Sequence, residues 1–250
     1  MAMDNTFPKQ PGTTKVVAVM AMDTNHNGVA YETALRTILA GRTDWQLIFV
    51  RASEAFTPEL IADADLFMAA RTGIADPIDL YPDAVSDHAE PGVPFWTDEN
   101  TNAVVRNIRS RGMGFLSLHC TLYSRRDEIL DVLGVEPIMH RQVQPVWVRD
   151  MNEEHPITRG IDDFMINLDE QFGALIKSEY TTTLFETTAL HDKRDCVGGW
   201  CREDGKGRVA ALLPGHTADP YNVPGYREII WRAAHWAVRQ DIPPYREQRG

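Results

Sequence analysis

The segment that most constrains the fold is a short apolar run that ends in two polar residues, residues 112–120 (GMGFLSLHC). It follows a predicted helix that ends at Gly112 and precedes a polar turn at residues 121–124. A central strand of a parallel sheet is buried on both faces and is therefore apolar without alternation. The pattern predicts such a strand, with His119 and Cys120 at its carboxyl end, the edge where open α/β sheets bind ligands.

The first half of the chain alternates between predicted strands and predicted helices. Apolar runs at residues 15–20, 45–50 and 65–70 predict three further buried strands. Helical spacing predicts a helix over residues 29–40, and Thr57-Pro58 opens a short helix, because proline is tolerated in the first turn. This alternation predicts parallel strands that are joined by right-handed crossovers.

The second half of the chain is predicted to be richer in strands. Predicted strands cover residues 145–149, 181–190, 197–202 and 208–213, and the sequence DGKG at residues 204–207 predicts a hairpin between the last two. An amphipathic helix is predicted over residues 226–239. We therefore expect an α/β fold that has a mainly parallel sheet with β-rich additions. Its predicted organisation is one domain over residues 15–240, with tails at residues 1–14 and 241–250.

Residues 71–95 interrupt this pattern with prolines, glycines and scattered acidic residues. They predict a long surface loop, and a loop of this length is uncommon inside a compact domain unless it covers a site. We therefore expect this loop to form a lid or an entrance wall of a binding site.

The composition limits the partners and the compartment of the protein. Its 250 residues carry a net charge of −11 with no basic cluster, which argues against a nucleic-acid surface or an anionic membrane surface. No apolar run is long enough to span a bilayer. Cys120, Cys196 and Cys201 are odd in number and lack a disulfide-framework spacing, which favours thiols in a reducing compartment and predicts a cytoplasmic protein. No nucleotide cofactor is indicated.

Three histidines and one glutamate are the candidates for chemistry. His26, His119 and His216 each come just after a predicted strand, so they can meet at the carboxyl edge of a parallel sheet. Glu170 adds a carboxylate. Such a set suits zinc or another divalent transition metal, and it also suits acid–base catalysis. The simpler interpretation is that each histidine only forms hydrogen bonds with the loop backbone.

Four further residues are candidates for contact with a substrate. Arg71 follows the third predicted strand and His140 is placed to line a pocket. Trp200 is either a core residue or a stacking surface for a sugar ring. Cys120 is either a nucleophile with a neighbouring histidine as its base or a small buried thiol, because free cysteines pack well in cores.

Several motifs in a fixed order resemble the ThuA-like family, which is named for trehalose utilisation. They are the segment 112–120, the His-Pro-Ile turn at residues 155–157 with Gly160, Asp169-Glu170, the Gly-Lys-Gly-Arg-Val segment at residues 205–209, Pro214-Gly215-His216, and His235-Trp236-Ala237 in the last helix. His26 matches an early histidine of the family. The resemblance covers residues 15–240.

This resemblance implies a flavodoxin-like three-layer sandwich, which is related to the class I glutamine amidotransferases. His119 would occupy the position of their nucleophilic cysteine, which argues against amidotransferase chemistry. The family is tied to carbohydrate utilisation alongside sugar oxidoreductases that make 3-oxo sugars. The sequence DEQF at residues 169–172 and the loop at residues 71–95 depart from the family pattern, so the substrate is expected to differ as well.

The first hypothesis is therefore an enzyme that acts on a sugar or on an oxidised (3-oxo) glycoside by isomerisation, elimination or hydrolysis. His119, His216 and Glu170 would be catalytic, with or without a metal that His26 also binds. A non-catalytic sugar-binding or assembly subunit on a degenerate amidotransferase scaffold is the alternative, and a cysteine hydrolase that uses Cys120 is a third. The expected partners are a small carbohydrate and a functionally linked sugar oxidoreductase. A homo-oligomer is left open.

Overall fold

The computed structural model describes residues 7–20, 26–73 and 94–245. The first half contains the strands β1 (Thr14–Met20), β2 (Trp45–Val50), β3 (Leu66–Ala70) and β4 (Gly114–Leu118), and the helices α1 (Gly28–Leu39) and α2 (Asp98–Arg106). The second half contains α3 (Asp127–Leu133), β5 (Val135–His140), β6 (Gln144–Arg149), β7 (Phe164–Asp169), β8 (Phe172–Ile176), β9 (Thr182–Ala189), β10 (Arg194–Asp204), β11 (Gly207–Leu212) and α4 (Pro224–Ala237). The chain is thus a mixed α/β protein.

A nine-stranded sheet with the order β2-β1-β3-β4-β11-β10-β9-β6-β7 organises the structure. The strands from β2 to β11 are parallel, whereas β10, β9, β6 and β7 continue the sheet in antiparallel fashion. The sheet is therefore mixed. Strands β5 and β8 form a separate antiparallel pair. The carboxyl ends of β1, β3, β4 and β11 lie at one edge, because parallel neighbours end on the same side.

The helices pack through faces that the sequence keeps apolar. Helix α4 buries Ile229, Ile230 and Ala233 and contacts β4, β11 and α1, while α2 packs against α3. The contact between α4 and β4 is close because β4 begins with Gly114. A Cβ atom at this position would lie 2.6 Å from the carbonyl oxygen of Ala237. Glycine is therefore required at this crossing.

The observed elements differ from the predicted ones mainly in the second half of the chain. The strands predicted at residues 15–20, 45–50 and 65–70 are present with bounds that agree to within one residue. Strands β5, β7 and β8 were not predicted. In β5 the reason is Pro137, because a proline weakens a strand pattern. Residues 74–93, most of the predicted lid, lie outside the described residues. No helix of the described segments is long and apolar enough to cross a membrane.

Candidate metal centre and pocket

Four side chains from distant parts of the sequence meet at the carboxyl edge of the parallel strands. His119 follows β4, His216 follows β11, His26 precedes the residue that caps α1, and Glu170 follows β7. Each offers one ligand atom, and these atoms all lie within 4.8 Å of one another. The three imidazole ring centres are 5.2–5.4 Å apart. We call these four residues the histidine–glutamate cluster.

His119 is held in one orientation and one protonation state. Its φ of +35° lies in the left-handed region, which costs a non-glycine residue about 1–3 kcal/mol. Its Nδ1 donates a hydrogen bond to the carbonyl oxygen of Leu213 at 2.7 Å, so Nε2 carries no proton in the neutral ring. Burial and the neighbouring His26 hold the pKa of His119 well below its usual range. The buried Nε2 has no hydrogen-bond partner in the described part of the chain.

The close packing of His119 depends on the loop after β11. Gly215 has a φ of +154°, and a Cβ atom on it would lie 2.7 Å from the Tyr221 hydroxyl and 3.0 Å from the His119 Cβ. A side chain at this position would push against His119 itself. The glycine thus allows the loop that carries His216 to approach the end of β4.

Glu170 connects the cluster to a fourth histidine. Its Oε2 lies 3.1 Å from His216 Nδ1 and 3.8 Å from His119 Nε2, and its Oε1 lies 2.7 Å from His140 Nδ1. Burial alone would raise the pKa of Glu170, but the hydrogen bonds and charges of His216 and His140 outweigh burial and lower it. The carboxylate is therefore ionised near neutral pH and can act as an anionic ligand.

Asp169 is a residue of the site that the sequence reasoning did not assign. It ends β7, and its carboxylate accepts backbone N–H bonds from Gly215 at 3.0 Å, His216 at 2.8 Å and Thr217 at 3.4 Å. Burial raises the pKa of Asp169 to about 7, although these backbone bonds act in the opposite direction. The carboxylate fixes the loop that presents His216. In the sequence it appeared only as part of the Asp169-Glu170 motif, with no role of its own.

A cavity of about 470 Å³ opens over the cluster. Its lining consists of His26, Thr72, Tyr123, Arg125, His140, Glu170, Phe172 and His216. The volume lies in the range of small-molecule sites, and the lining combines aromatic rings with a few polar groups, as such sites do. The cavity is therefore the candidate binding pocket.

A larger groove, of about 740 Å³, lies beside α3 and the β5–β8 pair. Three of its charged residues bond with one another or with the backbone. Lys177 pairs with Glu136 at 2.9 Å, and Arg202 donates to the Asp131 carbonyl oxygen at the end of α3 at 2.7 Å. This lining stabilises local structure, so the chemistry of the protein is placed at the smaller cavity.

Three of the four predicted substrate contacts do not line this smaller cavity, because their side chains are buried elsewhere. Arg71 is 2% exposed, and it donates from Nη1 to the Met20 carbonyl oxygen at 2.9 Å and from Nη2 to Ser53 Oγ at 2.6 Å. Trp200 is a core residue whose Nε1 donates to the Leu133 carbonyl oxygen at 2.9 Å. Cys120 is fully buried. His140, in contrast, lines the cavity.

The donor set of the cluster fits a transition metal. Three imidazole nitrogens and one carboxylate oxygen are ligands that zinc and similar divalent ions prefer, whereas magnesium and calcium prefer oxygen. The buried Nε2 of His119, which lies 3.8 Å from Glu170, is the structural observation that supports this fit. A buried nitrogen without a hydrogen-bond partner costs free energy unless a ligand or an ion supplies the missing contact.

Comparison with solved structures shows the fold. The chain is similar to a ThuA-like protein from Parabacteroides merdae, with a TM-score of 0.68, 13% identity and 90% of each chain covered. It is also similar to a ThuA-like protein from Bacteroides uniformis, with a TM-score of 0.67, 15% identity and coverage of 94% of this chain and 95% of the other. A GMP synthase subunit from Thermoplasma acidophilum shares the fold, with a TM-score of 0.53, 12% identity and coverage of 91% of this chain and 95% of the other.

The sequence itself identifies the family. No curated protein matches the chain. The profile of the ThuA family, which is described as trehalose utilisation, matches residues 16–237. This match covers most of the 250 residues, including the segments that carry all four residues of the cluster. The chain therefore belongs to the ThuA family.

Proposed function

We propose that this protein is a carbohydrate-utilisation enzyme that acts on a sugar or on a 3-oxo glycoside by metal-assisted acid–base chemistry. The observation that carries the proposal is the meeting of His26, His119, Glu170 and His216 within 4.8 Å beneath a cavity of about 470 Å³. The family description, trehalose utilisation, supports a carbohydrate as the substrate. Isomerisation, elimination and hydrolysis are the reaction classes that this chemistry allows.

We assign zinc or another divalent transition metal to the histidine–glutamate cluster. When bound, the metal would supply positive charge to a sugar oxygen beside the reacting carbon. The chain would contribute three imidazole nitrogens and an ionised carboxylate. His119 is kept neutral by burial, and its orientation is fixed by the bond from Nδ1 to Leu213. Such bonds orient a ligating histidine and make its other nitrogen a better ligand.

His140 is the residue that we assign to proton transfer. Its side chain is 59% exposed and lines the cavity, and its Nδ1 donates to Glu170 Oε1 at 2.7 Å. A neutral ring that donates from Nδ1 has an unprotonated Nε2, which can accept a proton from the substrate. The carbon next to the carbonyl of a 3-oxo sugar carries an acidified proton. His140 would remove and return this proton while Glu170 holds the ring in place.

The finer description of the fold belongs to the same proposal. We infer a flavodoxin-like three-layer sandwich of the class I glutamine amidotransferase type, with support from the parallel strands, the two helix pairs and the similarity to a GMP synthase subunit. In that arrangement His119 stands at a sharp turn after a central strand, with the positive φ that a nucleophile elbow also requires. An imidazole replaces the nucleophile there.

The setting of the reaction is also proposed. Cys120, Cys196 and Cys201 are not joined in disulfides within the described part of the chain, which supports a reducing compartment such as the cytoplasm. A sugar oxidoreductase that generates 3-oxo sugars is the proposed functional partner. Such an enzyme would supply the acidified carbon–hydrogen bond on which His140 acts.

Metal content and turnover, measured on the same preparations, test the proposal. The parent, His216→Ala and the control His191→Ala, which changes an exposed histidine outside the cavity, are purified without a His-tag and dialysed against zinc, cobalt or manganese. We expect about one metal per chain in the parent and in His191→Ala, with much less in His216→Ala. The parent and His191→Ala should convert 3-oxo glycosides, whereas His216→Ala should convert them in proportion to the little metal that it holds.

Two outcomes would contradict parts of the proposal. A parent that holds no metal after these ions are supplied would leave the histidines as acid–base or hydrogen-bonding groups. A loaded parent that binds sugars and converts none of them would instead favour the non-catalytic sugar-binding subunit.

A further inference from the structure

The cavity has further polar groups around Arg125, which is not a member of the histidine–glutamate cluster. Arg125 lines the cavity and has a φ of +58°. Left-handed backbone is unfavourable for a residue with a Cβ atom, and such strain persists where the surrounding structure imposes it. The residue sits just beyond the short 3₁₀ helix His119–Tyr123, so the same turn that carries His119 also positions Arg125.

A close backbone contact imposes this conformation. The N–H of Gly73 donates to the Tyr123 carbonyl oxygen at 2.8 Å. A Cβ atom on Gly73 would lie 2.4 Å from the Ser124 carbonyl oxygen and 2.8 Å from the Arg125 Cβ. The segment at residues 123–125 is therefore pressed against residues 72–73, and only glycine fits between them. The backbone of Arg125 is thus held at the cavity wall, and its side chain is exposed.

The charge of Arg125 is not balanced by an acidic side chain of the described segments. Its neighbour Arg126 pairs with Asp98 at 2.7 Å, whereas no such pair forms at Arg125 within those segments. The described lining of the cavity contains one carboxylate, Glu170, which is already bonded to His140 and His216. In a protein with a net charge of −11, a cation in a pocket can attract an anionic ligand.

A buried hydroxyl group belongs to a residue two positions before this cation that lines the same cavity. Tyr123 lines the cavity, and its hydroxyl is buried without a hydrogen-bond partner in the residues described. Burial and the charge of Glu170 raise the pKa of Tyr123 to about 12, so the phenol keeps its proton and can donate it to an anion. Thr72, across the close contact, adds a third polar side chain to this wall.

We propose that Arg125 and Tyr123 form a subsite for an anionic group, so that the substrate is an acidic carbohydrate that carries a carboxylate or a phosphate. A guanidinium group forms two parallel hydrogen bonds with either anion. The inference rests on the proposed function, because it takes the cavity over the cluster as the sugar-binding pocket. It adds the class of substrate, which the cluster alone does not define.

Calorimetric binding to metal-free protein separates this subsite from the metal site. The probes are glucuronate, glucose 6-phosphate and the neutral control methyl glucoside. We expect the parent to bind at least one acidic probe about 10-fold or more tighter than the neutral probe, which is the usual effect of a charge-assisted hydrogen bond. The two acidic probes distinguish a carboxylate subsite from a phosphate subsite.

Matched variants identify the residue responsible. Arg125→Gln should remove this preference, while Arg126→Gln, the adjacent control, should keep it. Arg125→Gly should also lose the preference while its melting temperature stays equal or rises, because glycine relieves the left-handed backbone. Melting curves of all variants confirm that each one folds.

The proposal is overturned if the parent binds the neutral probe as tightly as both acidic probes. It is also overturned if Arg125→Gln keeps the preference, or if Arg126→Gln loses it to the same degree. These results are independent of the metal. If the protein prefers acidic sugars but holds no metal, only the proposed metal chemistry is refuted. If it converts neutral 3-oxo glycosides and shows no preference for acidic sugars, only the subsite is refuted.

Discussion

Asp169→Asn is the substitution that best tests how the site is built. The asparagine side chain has almost the same shape, but it offers one acceptor oxygen and an NH₂ group in place of two acceptor oxygens. Asp169 Oδ1 accepts from His216 and Thr217, and Oδ2 accepts from Gly215 at 3.0 Å. If the amide oxygen keeps the first two bonds, the amide nitrogen faces the N–H of Gly215. Two donors then oppose each other in a buried position.

The expected loss of stability in Asp169→Asn follows from these contacts. A buried N–H group that loses its acceptor costs about 1–3 kcal/mol, and the loss of charge weakens the other two bonds. We expect a total loss of about 2–4 kcal/mol in the free energy of unfolding. For a chain of this length, each kcal/mol lowers the melting temperature by about 2–4 °C. Removal of a group that orients a metal ligand typically weakens metal binding by about 10- to 100-fold.

The assay is competition for zinc against a chromophoric chelator, together with thermal unfolding of the metal-free protein. Asp163→Asn is the matched control, because Asp163 is an exposed aspartate that immediately precedes β7. Asp163→Asn should change neither the zinc affinity nor the melting temperature. If Asp169→Asn melts at a lower temperature but binds zinc with the affinity of the parent, Asp169 only stabilises the fold. The positioning of His216 by Asp169 would then be refuted.

Two further predictions concern His119 and Cys120, the first two residues of the 3₁₀ helix that follows β4. Burial lowers the pKa of His119 below its ordinary value of 6.5, so the unfolded chain binds a proton at this imidazole more readily than the folded chain does. The free energy of unfolding should therefore fall as the pH drops below 6.5, by up to about 1.4 kcal/mol per pH unit. Denaturant midpoints of the metal-free protein at pH 7.5 and 5.5 should show a smaller change in His119→Gln than in the parent; an equal change would contradict this. Cys120→Ser should keep metal binding and turnover, since Cys120 is buried outside the cavity lining, and loss of turnover with a normal metal content would restore the cysteine-hydrolase hypothesis.

The parallel half of the sheet was predictable because burial on both faces leaves a simple signal. Strands such as β1 and β4 are buried at every residue, so they appear as continuous apolar runs. The topology rule for parallel strands then places His119 and His216 at one edge without any structural information. The structure brings both side chains into one cluster.

Other parts of the site depend on contacts that have no local pattern. Arg71 follows its strand as the rule requires, yet its guanidinium group turns into the protein and bonds to Met20 and Ser53. The rule predicts where a strand ends but not which way a long side chain points. Tyr123 and Arg125 were missed because their placement depends on the close contact with Gly73, which is remote in the sequence.

The mixed sheet explains how a residue of its outermost strand reaches the loop after β11. Strand β7 is the outermost strand of the antiparallel half, four places from β11 in the sheet order. Even so, Asp169 at the end of β7 bonds to the loop that follows β11. The antiparallel strands must therefore curl back toward the carboxyl edge of the parallel strands. The twist between adjacent strands of a sheet makes this curvature accessible.

The four residues at the junction of β7 and β8 show why this curvature matters for the site. Asp169 fixes the loop of His216, and Glu170 enters the cluster. The Gln171 amide donates to two backbone carbonyl oxygens, at 2.9 and 3.0 Å, which anchors the segment to the antiparallel strands. Phe172 then stacks on the His119 ring, with the ring centres 4.0 Å apart. Each of the four consecutive side chains thus has a separate contact. A substitution at Asp169, Gln171 or Phe172 should act on the histidine–glutamate cluster through position rather than through chemistry, and the predicted departure of DEQF from the family pattern is the place to look for a change of substrate.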